Sequence, residues 1–429
     1  MSSLALLFST ALFSNPAHAF CGTFVGDPSA TMQNEASQVV IAHQDGQTVL
    51  TVIMDYQGTA QDFGILLPIP EVVGADDVGS IDRALLTWLA DFSVPRQIAY
   101  TCGDVFAQTE LPYLGCTLGF GCSDSSFAGG SADALDTASG VHVEGQFTEY
   151  GYDFSVLSAS EADGLQLWLD TNGYALPTGG ESVLQEYIDA GVYFLAVKVN
   201  LAEVEQVDGW LPPIQLRYDS PSISLPIRIG TISAEGPQEV VVYTLTPVED
   251  GEVGITNYPE LPLETECMWE GDDFGEFYAA EMEASHAKNG AGWVREYSWD
   301  LIPEIGTGYH CDPCTAEPVA PTSDGTFGDF GLDSDSAHLT RLHLRYSPDE
   351  ATQDVVMAAS GITGINEQLR YVDPVDELES LFPYCDSGWS TTPGSCPEGG
   401  SPATAAVGPG ALLLALGTLG VLTARRRGR

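Results

Sequence analysis

Apolar and polar positions alternate with a short period soon after the chain begins. Residues 38–52, QVVIAHQDGQTVLTV, hold two β-rich runs on either side of Asp45-Gly46. That dipeptide between two such runs predicts a hairpin. A third strand is predicted at 63–67, ended by Pro68 and Pro70, and the spacing at 81–90 predicts a helix packed on this sheet. Downstream the period changes repeatedly. A strand is predicted at 152–157 and a helix at 160–172, capped by Ser158 or Ser160, with Asp163 in its first turn and Gly173 closing it. A second helix is predicted at 181–190, stopped by Gly191. Strands follow at 192–199, 214–218, 224–229, 239–245 and 338–346. Many short strands with few helices predict a β-rich α+β fold, with antiparallel sheets and a few packed helices.

Two apolar stretches do not fit this pattern, and they lie at the ends. Residues 1–19 are apolar from Leu4 to Phe13, then carry Pro16 and Ala17-His18-Ala19. A small residue on each side of His18 predicts export-signal cleavage before Phe20, although no Lys or Arg precedes the apolar stretch. Bulky Phe20 argues against Cys21 as a lipidation site. Residues 407–424 are apolar and uncharged, long enough to predict a membrane span, and Arg425, Arg426, Arg427 and Arg429 follow. The chain is therefore expected to be exported, to reside in a cell envelope or on its outer surface, and to be anchored at its C-terminus.

Between these ends the sequence divides by composition. Residues 20–114 are read as an N-terminal β-rich domain and 115–142 as a Gly/Ser-rich stapled loop. Residues 143–265 are read as an α+β domain and 266–385 as a cysteine-containing region. A Pro/Gly stalk at 386–406, the span at 407–424 and a basic tail at 425–429 complete the layout. Leu-Arg-Tyr recurs at 216–218, 344–346 and 369–371, but with no fixed period and no matching flanks, so it defines no repeat.

Charge narrows the partners. The chain has 61 Asp+Glu against 14 Lys+Arg, and a formal net charge of −47. Four of those bases lie in the tail, and the only lysines are Lys198 and Lys288. Such a surface repels nucleic acid and anionic headgroups. It suits a surface exposed to salt water or an exported protein kept soluble; calcium binding is the sharper alternative. Asp324, Asp329, Asp333 and Asp335 on a glycine-containing stretch are the candidate calcium ligands, though their spacing matches no EF-hand loop. No other cofactor is indicated.

Nine cysteines in an exported chain predict disulfides. Cys21, Cys102, Cys116, Cys122, Cys267, Cys311, Cys314 and Cys385 allow four bridges, leaving Cys396 as a candidate for sorting or lipidation. His310-Cys311-x-x-Cys314 is also compatible with a metal or redox role. In the strand at 338–346, Leu339, Arg341, His343 and Arg345 fall on one face, and His338, Thr340, Leu342 and Leu344 on the other. Arg341, His343 and Arg345 concentrate positive charge in a base-poor chain. They are read either as an anion-binding face or as partners of internal acids.

No Gly-x-Ser-x-Gly, His-Glu-x-x-His or phosphate-loop motif occurs. A surface hydrolase using paired carboxylates stays open, because sequence does not give their separation. Several segments together resemble a bacterial family of unknown function, DUF2330: 56–58 leading into 63–70, 152–177, 192–200, 211–220, 225–233, 310–315 and 338–349. The resemblance implies an exported bacterial protein and supplies no activity or catalytic residue. The tail resembles the C-terminal sorting signals of the myxobacterial type (MYXO-CTERM), in which a cysteine precedes the span. Cys396 would be that cysteine. The expected role is therefore structural, adhesive or ligand-binding, toward an envelope or extracellular ligand.

Overall fold

The computed structural model describes residues 23–26, 37–53, 63–99, 140–174, 179–200, 211–234, 236–263, 274–301, 303–304, 308–309, 327–364 and 367–373. The fold is α+β and β-rich. Its sheets are mainly antiparallel, and four α-helices lie among the described residues. The leader, the segment 115–139, all nine cysteines, the stalk and the 407–424 span lie outside the described residues. Among those described, no helix is long and apolar enough to cross a membrane.

The chain forms two compact units interleaved along the sequence. One draws on Met1–Arg83, Ala132–Tyr243 and Leu344–Met357, the other on Ala84–Ser131, Thr244–His343 and Ala358–Arg429. In the first unit a five-stranded antiparallel sheet runs in the order Thr23–Gly26, Phe63–Ile69, Tyr193–Val199, Tyr152–Ala159, Val141–Glu149. Strand Phe63–Ile69 continues through Pro68, which pairs with Phe194, rather than ending there. It joins this sheet and not the hairpin that precedes it.

Helices Ala162–Thr171 and Glu181–Asp189 cover the sheet. Leu165, Trp168, Leu169, Leu184 and Tyr187 pack against Leu66, Leu157, Phe194 and Ala196. Burial of each such side chain is worth about 1.5–3 kcal/mol. The first helix begins at Ala162 with no side-chain cap. Instead Gln185 of the second helix accepts the Ala162 N–H at 2.9 Å, while the Ser160 hydroxyl turns to the Gly140 carbonyl. Both helices end on left-handed glycines, Gly173 and Gly191. Tyr174 and Val192 N–H then bond back to the Leu169 and Tyr187 carbonyls, which satisfies the last turns.

The same unit holds the Asp45-Gly46 hairpin. Strands Ser37–Gln44 and Gln47–Val52 pair with Gln44 opposite Gln47, and Ile214–Asp219 and then Val78–Gly79 extend the sheet outward. Asp45 and Gly46 both have positive φ, 54° and 79°, as a two-residue turn of this type requires. A second hairpin turns at Tyr150-Gly151 with φ 52° and 80°.

In the second unit strand Gly292–Leu301 lies between Glu367–Gln368 and Ala337–Tyr346 in the sheet order. Helix Arg83–Ser93 brings Phe92 edge-on to Tyr297, and helix Phe274–Asn289 buries Met282 with Leu261 and Val294. Arg96–Ala99 pairs in parallel with Arg370–Asp373 in the same unit.

Tyr150 is a bulky residue in left-handed backbone, and its side chain gains little there, being 49% exposed. Left-handed backbone costs an ordinary L-residue about 1–2 kcal/mol and suits asparagine better. Tyr150→Asn is expected to stabilise the fold by about 1 kcal/mol in urea unfolding. No gain would show that Tyr150 makes contacts offsetting its strain.

Candidate functional site

Two strands of the second unit bring buried ionisable residues together. Strand Gly292–Leu301 supplies Glu296, Ser298 and Asp300, and strand Ala337–Tyr346 supplies His338, Arg341 and His343. Helix Phe274–Asn289 adds Tyr278.

Glu296 is the centre of one network, and its side chain has 0% exposure. Its Oε1 accepts from the Tyr278 hydroxyl at 2.5 Å and from His343 Nδ1 at 2.8 Å. Its Oε2 accepts from Arg341 Nε, and Arg341 Nη1 donates to the Ala90 carbonyl at 3.2 Å. Burial pushes the Glu296 carboxyl up. The charges of Arg341 and His343, with the His343 and Tyr278 hydrogen bonds, outweigh it and hold the group at about 2. The carboxylate therefore stays ionised in a dry interior, where an uncompensated charge costs several kcal/mol.

A second network uses the same two strands. The Ser298 hydroxyl lies 2.9 Å from His338 Nε2, and His338 Nδ1 lies 2.6 Å from Asp300 Oδ1. An ionised Asp300 only accepts, so it fixes the proton on Nδ1. In a neutral ring Nε2 then accepts from Ser298. Hydroxyl, imidazole and carboxylate in this order form the nucleophile–base–orienter chain of acyl-transfer enzymes. Here Ser298 and His338 are both fully buried, so no substrate carbonyl reaches the hydroxyl in this conformation.

The first unit has its own buried acid. Asp354 accepts from the Tyr187 hydroxyl at 2.7 Å and from the Arg228 N–H at 3.1 Å. Burial raises the Asp354 carboxyl above its ordinary value despite those bonds.

The three residues read as an anion-binding face do lie on one strand, but their acceptors are internal. Arg341 and His343 meet Glu296, and Arg345, in the first unit, pairs with Glu239. His338 and His343 have different partners. Asp329 sits in the turn Gly328–Phe330, with Asp333 and Asp335 between it and the following strand, and Asp324 lies outside the described residues. Among the described residues no group of three or more His, Cys, Asp or Glu side chains is placed to hold a metal ion. His310, Cys311, Cys314 and the other cysteines, Cys21, Cys102, Cys116, Cys122, Cys267, Cys385 and Cys396, fall outside the description.

Sequence reasoning missed Glu296, Ser298, Asp300 and Tyr278. One signal was present: GWVREYSWDL sets Glu296 and Asp300 among Trp293, Val294, Tyr297, Trp299 and Leu301. Acids inside an apolar run require a buried cation in a chain with few to offer.

A carboxyl held below its unfolded value stabilises the fold above the unfolded value and loses that contribution as pH falls toward the folded one. For Glu296 the window runs from about 4.5 down to about 2, and the contribution at neutral pH is on the order of 3 kcal/mol. Glu296→Gln is expected to unfold at lower urea at pH 7, with the gap to the parent chain narrowing as pH falls through that window. A gap constant with pH would mean that Glu296 gives no ionic stabilisation. Arg341→Ala, which strands the carboxylate, is expected to cost about 3–5 kcal/mol.

No curated protein and no solved structure matches the chain. A family model described as an uncharacterized protein conserved in bacteria (DUF2330) matches residues 15–358. That stretch takes in Glu296, Ser298, Asp300, His338, Arg341 and His343. It agrees with the resemblance carried by the scattered segments between 56 and 349, and the chain belongs to the DUF2330 family.

Proposed function

We propose that this is an exported acidic protein of the bacterial envelope, anchored by its C-terminus, with a structural, adhesive or ligand-binding role. The observation that carries this reading is how the chain uses its few cations. Arg228, Arg295, Arg341 and Arg345 each face a glutamate of the same chain. With those bases paired to acids of the chain and 61 acids in all, the chain carries a large excess of negative charge. Such a surface keeps an exported domain soluble and turns away polyanions.

Three further points support it. The leader pattern ends at Ala19, with Ala17-His18-Ala19 as a cleavage site. The family is bacterial. The eight paired-number cysteines suit an oxidising compartment, where they would staple the ectodomain. Surface display through the 407–424 span is tested by fractionation with protease added to intact cells. Recovery in the envelope with external cleavage is expected, and recovery in the cytosol would overturn the reading.

A second reading rests on one observation, the Ser298–His338–Asp300 chain. A hydrolase using it would react with a fluorophosphonate at Ser298, and His338→Ala would abolish the adduct. Full burial of both groups leads us to expect no adduct in the native protein. An adduct at Ser298 would replace the envelope-scaffold reading with an enzymatic one.

A further inference from the structure

In the second unit, the outer edge of strand Gly292–Leu301 is closed by chain that returns from far downstream. Glu367–Gln368 pairs with it antiparallel, Gln368 opposite Tyr297 and Glu367 opposite Ser298. The chain then runs on as Arg370–Asp373, parallel to Arg96–Ala99. This strap lies beyond residue 358, where the family match ends.

Two short ladders and a few side-chain bonds hold it. Leu369 N–H donates to the Glu296 carbonyl at 2.8 Å. Gln368 Nε2 donates to the Val94 carbonyl at 2.8 Å, and Arg295 Nη2 to Glu367 at 2.6 Å. The Glu367 side chain is 61% exposed, so that ion pair holds weakly. The antiparallel pairing spans two residues of the strap, against the ten-residue strand Ala337–Tyr346 on the other side. Just before the strap the chain passes through exposed residues 361–364, where Gly361 and Gly364 have φ of 67° and 73°. Glycines accept a change of direction at little steric cost.

Without the strap, the Glu296–Ser298 stretch of strand Gly292–Leu301 would present open backbone donors and acceptors, which is a template for another strand. Residues 367–369 already pair with this row, and 370–373 continue beside Arg96–Ala99. Every bond the strap makes inside its own chain is available, in the same register, to the same segment of another chain. Exchange therefore conserves the bonds and costs only the association and the change of path at the glycines.

We propose that residues 367–373 form an exchangeable strap, and that the protein associates with a second copy by swapping this segment onto the edges of Gly292–Leu301 and Arg96–Ala99. The proposal does not depend on the export reading.

A fluorescein-labelled peptide of residues 367–373 tests it by anisotropy on the full chain. Binding to the parent chain is expected. Gln368→Ala in the chain weakens its own strap while the peptide keeps the amide, so peptide occupancy is expected to rise about fivefold. A peptide carrying alanine in place of that glutamine should lose about the same factor. Unlabelled peptide should also lower the dimer fraction that forms at high protein concentration. If Gln368→Ala does not fold, Glu367→Gln removes only the exposed ion pair and should raise occupancy about twofold. Absence of peptide binding to every folded chain would overturn the proposal. So would amide exchange at Gln368 and Leu369 as slow as at Leu342 in the adjacent core strand.

Discussion

Buried Glu296 is the constraint around which the second unit is arranged. An ionised carboxylate with no exposed surface requires donors around it, and here they come from two other elements. Arg341 and His343 arrive on strand Ala337–Tyr346, Tyr278 on helix Phe274–Asn289, and the Ala90 carbonyl of helix Arg83–Ser93 holds the far side of Arg341. A shift of any one by a residue would leave a charge or a donor unmatched, at a cost comparable to much of a domain's net stability. Apolar packing alone, as in the Leu261, Met282 and Val294 cluster, tolerates such slips more easily.

The same economy explains the charge of the molecule. A chain with 14 bases and 61 acids gains most by placing its arginines where the dielectric is low and each neutralises a necessary buried acid. Arg341 does this at Glu296. Arg295 does this in part, at the half-buried Glu252, while its second acid, Glu367, is exposed. The Ser298–His338–Asp300 chain belongs to the same interior. Its order of bonds is that of a nucleophile relay, yet its burial makes it a set of satisfied polar groups between two strands.

Legibility in the sequence followed the range of the interaction. The Asp45-Gly46 hairpin, the two helices closed by Gly173 and Gly191, and the strand through Leu342 were readable, because each rests on residues within a few positions. Helix Phe274–Asn289 was not, since its buried positions include Glu281, Ser285 and His286 and it shows no clean apolar stripe. Strand Val141–Glu149 was partly read as loop because its outward positions, among them His142, Glu144 and Gln146, are polar and exposed. The cap of the first covering helix was misassigned to serine, because the acceptor is Gln185 from the next helix.

By itself, then, the sequence determined the β-rich α+β class, the main strands and helices, the family and the presence of Arg341, His343 and Arg345 along one strand. What those three side chains meet was decided only by tertiary structure. Glu296 lies 45 residues from Arg341, and Ala90 lies 251. Glu239, the partner of Arg345, is 106 residues away. Alternation along a strand fixes which way a side chain points. Which acid waits there depends on how distant strands and helices pack, and no local period records that.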